Sequence, residues 1–215
     1  MLKTKIKASA VTNLTDARYF AAREVEWLGF RFSGGPESSI SLMAAKAIAE
    51  WVDGVKIVGE FDFATATEIE DAHNLLHFDA VQVGMFTPAE TLKKLPSLTF
   101  IKEVVVENIT TEDDIMAHFQ EFDEYCAYFL LDFTKAGISW AKLQMGSNLS
   151  LGFLNHLFEQ YKIILSLDFR PNETLRVLET IQPEALSLSG GQEEKVGLKS
   201  FEELDEILDK LEIGG

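Results

Sequence analysis

Short runs that are apolar throughout, or that alternate apolar with polar, recur along the chain. They lie at residues 3–10, 27–32, 55–61, 80–83, 99–106, 125–132, 162–166 and 185–189. Runs of this length, rich in Val, Ile, Leu and Phe, read as strands. Each is followed by a stretch whose apolar residues recur three and four apart, as on one face of an amphipathic helix. Asn13 is placed to cap a helix that carries Leu14, Ala17, Phe20 and Ala21 on one side. Residues 41–52 align Leu42, Ala45, Ile48 and Ala49, and residues 65–76 align Ile69, Ala72 and Leu76. Pro88 opens a helix over 88–95, where a missing N–H is tolerated. Residues 110–121 begin Thr-Thr-Glu-Asp-Asp, with acids at the positive end of the helix dipole. Helices over 149–160, 172–181 and 200–211 complete the pattern.

Eight strand–helix units spaced about 27 residues apart match the size of a βα repeat. Strands that alternate with helices imply a parallel sheet. The expected fold is therefore an α/β protein with a single (βα)8 TIM barrel, a parallel eight-stranded sheet ringed by helices. A doubly wound open sheet is the competitor. It calls for a Gly-rich first turn to hold a nucleotide, and the turn here is Ser9-Ala10-Val11-Thr12-Asn13. No linker or break in composition divides the chain, so residues 1–215 read as one domain. The longest irregular stretch, 133–148, follows the sixth strand, on the face where barrels carry their sites.

Composition narrows the partners. The 215 residues hold 19 Lys and Arg against 35 Asp and Glu, a net charge of −16. Such a field repels phosphate backbones, which disfavours nucleic acid. No basic amphipathic helix and no apolar span of membrane length is present, so no membrane partner is expected and a cytoplasmic location is. The lone Cys126 leaves no intrachain disulfide and no structural zinc cluster. No metal or cofactor is expected. The implied ligand is a small phosphorylated or carboxylate metabolite, bound by a monomer or homodimer.

In a barrel the reactive groups stand at the C-terminal ends of the strands. Those ends supply Ser9, Arg31, Ser33, Glu60, Asp62, Gln82, Asp132, Ser166, Asp168 and Ser189. Asp132 follows the apolar run Tyr128-Phe129-Leu130-Leu131, where partial desolvation suits a carboxyl to acid–base work; the plainer role is to bond loop amides. Ser189-Gly190-Gly191 after the last strand is a candidate anion cradle or simply a turn. His73, His77, His118 and His156 fall on the outer helices. Trp27, Trp51 and Trp140 read as core or loop anchors, and Cys126 as a small core residue.

These residues resemble the phosphoribosylanthranilate isomerase family, small (βα)8 barrels of tryptophan biosynthesis. That family opens with a Lys-Ile-Cys-Gly-Ile-Thr-Asn-type strand and turn and a Leu-x-Asp-Ala helix start. Here the segment is Lys7-Ala8-Ser9-Ala10-Val11-Thr12-Asn13-Leu14-Thr15-Asp16-Ala17. Leu28-Gly29-Phe30-Arg31-Phe32, Val58-Gly59-Glu60-Phe61, Asp79-Ala80-Val81-Gln82-Val83 and Leu130-Leu131-Asp132 match strands two, three, four and six. The tail is similar at Ser189-Gly190-Gly191-Gln192-Glu193 and at Gly197-Leu198-Lys199-Ser200.

The resemblance implies an Amadori rearrangement of an aminoaldose phosphate without a cofactor. It makes Asp132 the general acid and places Ser9 where the family has its cysteine base. It assigns Gln82 and Arg31 to the substrate pocket and aligns Ser38 with the family's anthranilate-contacting Arg. It gives Ser189, Gly190 and Gly191 to the phosphate. The family's Gly-Gly turn after strand seven is Leu167-Asp168 here. Serine supplies almost no alkoxide without an activating base, and Lys7 is the nearest candidate along the strand. Two readings stay open: an isomerase with unusual site chemistry, or a catalytically inactive or repurposed barrel that binds a different small metabolite.

Overall fold

The computed structural model describes residues 2–35, 38–146, 148–190, 192–195 and 198–213. Eight parallel strands close into a barrel in sequence order: β1 (Lys5–Val11), β2 (Trp27–Arg31), β3 (Lys56–Phe61), β4 (Ala80–Val83), β5 (Phe100–Val105), β6 (Tyr128–Asp132), β7 (Ile163–Ser166) and β8 (Ala185–Ser189). The ring of helices comprises α1 (Leu14–Ala22), α2 (Leu42–Ala49), α3 (Ala66–Leu76), α4 (Ala89–Lys93), α5 (Glu112–Phe122), α6 (Trp140–Gln144), α7 (Leu151–Gln160), α8 (Thr174–Ile181) and α9 (Glu202–Leu211). A two-stranded antiparallel hairpin, β9 (Gln192–Lys195) with β10 (Leu198–Ser200), lies between β8 and α9. The (βα)8 expectation holds, and the open-sheet alternative falls with the β1–β8 pairing that closes the barrel.

Local chemistry explains where the helices start. Asn13, Ser41, Thr65, Thr111 and Ser150 are extended residues whose side chains accept a backbone N–H of the first turn. Thr65 with Glu68, and Thr111 with Asp114, form reciprocal capping boxes. His77 and Gln182 end α3 and α8 in the left-handed conformation, at φ 52° each.

Two corrections concern the loops. The stretch 133–148 is less irregular than expected, because it folds a 3-10 turn (Thr134–Ala136) and then α6. Trp140 drives this: its ring is buried, and its backbone N–H donates to the Asp168 carbonyl at 2.8 Å. Trp51, expected as an anchor, is instead 72% exposed.

Alternation sorts each strand into an outer face under the helices and an inner face. The lower interior is an apolar plug of Trp27, Val58, Ala80, Ile101, Leu130, Ile164 and Ala185. On the outer face β5 breaks the apolar rule with Lys102, which is fully buried. Its ammonium donates to the carbonyls of Gly84, Met85 and Thr87 at 2.9, 2.9 and 2.7 Å, and it lies 4.0 Å from the Phe122 ring centroid. This one side chain ties down the loop after β4. Burial pushes its amine down to about 8, and burial likewise pushes the neighbouring Cys126 thiol up to about 12. Replacing Lys102 with Met takes the ammonium from three inward carbonyls, of which Gly84 O keeps the Thr87 N–H at 3.1 Å and Met85 O has the His118 ring nitrogen at 3.5 Å. We expect a loss of about 2–4 kcal/mol in urea unfolding, with hydrogen exchange rising first in residues 84–87.

Candidate functional site

Above the plug the inner face turns polar. β1 contributes Lys7 and Ser9, β3 contributes Glu60, and β4 contributes Gln82; β5 supplies Glu103, β6 Asp132, β7 Ser166 and β8 Ser187. Lys7, Glu60, Gln82, Glu103, Asp132 and Ser166 are all buried.

The Lys7 ammonium, 0% exposed, forms an ion pair with Glu60 Oε1 and donates to Ser9 Oγ at 2.7 Å. Glu60 Oε2 accepts the Ala10 N–H at 3.0 Å. That contact accompanies a left-handed Ala10, at φ 55°. Gly29 faces the pair, and a Cβ there would stand 2.1 Å from Glu60 Oε1 and 3.0 Å from Lys7 Nζ. Only a glycine leaves room for the carboxylate to reach the amine. Ser9 Oγ lies 2.7 Å from Ser187 Oγ on β8.

A second charge pair stands at the far side. Glu103 is buried, and Lys135 Nζ reaches it at 2.7 Å. Burial pushes the Glu103 carboxyl above its ordinary range; the Lys135 ammonium pulls it back, and the charges of Asp132 and Asp62 add to the rise. Asp132 Oδ1 accepts from Thr134 N at 2.8 Å, Thr134 Oγ1 at 2.6 Å and Lys135 N at 3.3 Å. Among the described residues nothing donates to Oδ2. Thr134 Oγ1 also lies 3.3 Å from Ser166 Oγ. The β7–β8 register, Ile164 with Ala185 and Leu165 with Leu186, brings Ser166 beside Ser187. A hydroxyl-lined arc therefore runs from Asp132 through Thr134, Ser166 and Ser187 to Ser9. A cavity of about 440 Å³ opens over the middle of this arc, lined by Thr134, Ser166 and Ser187 and also by Asp168, Ser189, Gly190 and Glu203, with Asp132 and Ser9 beyond its lining.

The structure thus gathers Asp132, Ser9 and Gln82 on the inner face. Gln82 Oε1 is buried with no hydrogen-bond partner among the described residues. Arg31 ends β2 in register with Glu60, half-buried, with no ion pair among the described residues. Ser38 is not brought to this group: it is exposed, and its hydroxyl donates to Gly35 O at 3.2 Å within its own loop. Ser189 is exposed at the cavity edge, and Gly190 packs so closely on Asp16 that a Cβ would stand 2.4 Å from Oδ2. Gly191 lies outside the described residues.

The residues not singled out from sequence are Glu103, Lys135, Thr134 and Ser187. Glu103 carried a signal: a charge on the inner period of β5, between Ile101 and Val105. Another cavity, of about 860 Å³, lies at the opposite, N-terminal end of the barrel. Its Lys5–Glu184 ion pair is a surface pairing, and barrel chemistry belongs to the other face. Among the described residues no group of three or more His, Cys, Asp and Glu is placed to hold a metal ion, and no helix is long and apolar enough to cross a membrane.

No protein-family model matches the chain. It is 26% identical over 209 residues to an N-(5'-phosphoribosyl)anthranilate isomerase of Syntrophus aciditrophicus, covering 95% of this chain and 86% of that one. It is 26% identical over 210 residues to the enzyme of that name from Petrotoga mobilis, covering 96% of each. The crystal structure of phosphoribosyl anthranilate isomerase from Thermotoga maritima superposes with a TM-score of 0.78 at 23% identity, over 97% of this chain and 98% of that one.

The polar interior makes a stability prediction. Removing one partner of a buried ion pair typically costs about 3–5 kcal/mol, whereas an apolar replacement of both is close to neutral. Glu60→Leu should therefore lower the urea midpoint steeply, and Lys7→Met combined with Glu60→Leu should recover most of the loss. A double variant no more stable than Glu60→Leu would show that the pair does not act as a unit.

Proposed function

We propose that this chain, a divergent relative of the phosphoribosylanthranilate isomerases, carries out an aldose–ketose isomerisation of the Amadori type on an aminoaldose phosphate. One observation carries the reading. Asp132, at the acid position, and Ser9, at the base position, are the two ends of one hydroxyl-lined arc whose middle members, Thr134, Ser166 and Ser187, line a single cavity. Asp132 is held through Oδ1 alone, so Oδ2 is available to protonate a furanose ring oxygen. Loss of the C2 proton towards Ser9 then gives an enamine that tautomerises to the ketose. Arg31 and the unpartnered Gln82 carbonyl supply polar contacts for the substrate. Ser189 and Gly190 take the phosphate side. Ser38 contributes nothing from where it sits.

A second reading has its own support. Asp168 and Glu203 line the cavity on the side where the resemblance puts phosphate, and like charges oppose an anion there. A barrel repurposed for a phosphate-free metabolite fits that lining, and a phosphate-free polyol that raised the melting temperature more than phosphoribosylanthranilate does would favour it.

Turnover of phosphoribosylanthranilate by the purified protein is the direct test. The expected kcat/KM is measurable but at least about a hundredfold below a typical family member, since losing an acid–base group commonly costs 10²–10⁴ in rate. Asp132→Asn should abolish what remains while leaving the melting temperature within a few degrees. In a tryptophan auxotroph that lacks the isomerase, slow growth is expected, and no growth on overexpression counts against the reading. Family-typical kcat/KM would overturn the argument for an impaired base.

A further inference from the structure

The buried Lys7–Glu60 pair is more than a neutral filler of the barrel. Its amine also touches Ser9 Oγ, at 2.7 Å, and Ser9 Oγ in turn lies 2.7 Å from Ser187 Oγ, which lines the cavity. The resemblance offers no acid at the position of Glu60, where the family pattern leaves an unspecified residue. Two backbone features accommodate it: a glycine at Gly29, where any Cβ would strike the carboxylate, and a left-handed Ala10 whose N–H binds Oε2. Together Ser9, Lys7 and Glu60 line up a hydroxyl, an amine and a carboxylate.

From this arrangement we infer that Lys7 and Glu60 form a proton relay that turns the Ser9 hydroxyl into the base of the isomerisation, in place of a thiol. The inference rests on the isomerase reading above. A serine hydroxyl has no useful basicity alone and needs a neighbour to take its proton. A charged Lys7 has no lone pair for that task. Glu60 supplies the remedy: one Lys7 N–H bond breaks and a Glu60 Oε1–H bond forms, which leaves a neutral amine beside a neutral acid. The step then balances. Ser9 Oγ takes the proton from substrate C2 as the Ser9 hydroxyl proton passes to Lys7 Nζ. The C2–H electron pair remains on the substrate and becomes the C1–C2 double bond, while the C1–N double bond of the iminium becomes a neutral amine. Substrate C2 is oxidised and C1 reduced, so no external oxidant or reductant is required. The site finishes with Lys7 and Glu60 both protonated, and the proton returns when the enamine tautomerises. Lys7 and Glu60 are positioning residues in this scheme, acting only through Ser9.

A cysteine at position 9 makes the test sharp, because a thiolate takes the C2 proton without a relay. Turnover of phosphoribosylanthranilate is measured for the unmodified protein, Ser9→Ala, Glu60→Gln, Ser9→Cys and the Ser9→Cys, Glu60→Gln pair, each first checked for a cooperative melt. Ser9→Ala and Glu60→Gln should each lower kcat by about 10²-fold or more with little change in KM. In the cysteine background Glu60→Gln should cost no more than a few-fold. An equal cost of Glu60→Gln in both backgrounds overturns the relay, because it means that Glu60 only supports the fold. A proton inventory on kcat/KM of the unmodified protein, in mixed H2O and D2O, needs no variant to fold. A bowed plot, several protons in flight, is expected, and a straight line overturns the relay. Activity in the unmodified protein that Ser9→Ala leaves intact sinks the relay and leaves the isomerase reading standing, whereas activity in Ser9→Cys but none in the unmodified protein sinks both. No activity in either sinks both.

Discussion

Charge enclosed by a closed barrel has to be neutralised where it lies. The eight strands leave no edge through which water reaches the inner face, and an apolar plug seals the lower end. Above the plug β1, β3, β5 and β6 each place an ionisable group inside, and the solution is local pairing. Lys7 answers Glu60, and Lys135 answers Glu103. A lone charge in such a place is costly enough that the group would shed it. The pairs therefore constrain everything beside them: which strand positions lack a side chain, which backbone turns left-handed, and which hydroxyls are free to face a ligand.

Both pairs sit beneath a mouth that is short of positive charge. Lys7 and Lys135 are occupied by carboxylates, and among the described residues Arg31 holds none. Asp16 presses against Gly190, and Asp168 and Glu203 line the adjoining cavity. An acidic surface of net charge −16 adds to this locally negative field. An anionic group is then drawn by the β2 side of the mouth and opposed by the β7–β8 side, so a phosphate at Ser189 and Gly190 has to be held by hydrogen bonds against the local charge. This gradient orients a molecule with one charged end, even without a glycine-rich cradle.

The fold was legible because barrel strands and helices repeat two short periods, and both survive in this sequence. Asn13, Thr65 and Thr111 announce their helices through capping chemistry that involves neighbours only three residues away. The site was legible in its positions and less so in its partners. Asp132 and Ser9 follow from strand ends, whereas the Lys7–Glu60 contact joins residues 53 apart, and only the register of β1, β2 and β3 decides that they meet. Ser38 was misplaced by counting along a loop, since the turn at Gly34, at φ 122°, folds its hydroxyl back onto Gly35. Residues 133–148 lack an extended apolar stripe, so α6 was invisible until Trp140 found its burial site.

Glycine and serine at Gly29 and Ser9 therefore mean different things from what each shows alone. Gly29 looks like a residue that matches a family pattern, yet here its missing side chain is filled by the Glu60 carboxylate. Ser9 looks like the loss of a thiol, yet it arrives with an amine at hydrogen-bond distance and an acid behind that amine. The glycine and the left-handed alanine make room for a buried acid, and an uncharged residue at position 60 would relieve both constraints. Lys7 would then be left unpaired, so the acid persists only while the lysine does. The lysine in turn has no partner in the fold besides Glu60 and the hydroxyl of Ser9 among the described residues. The three residues form a set whose members make sense together, and the hydroxyl is the one that reaches Ser187 at the cavity wall.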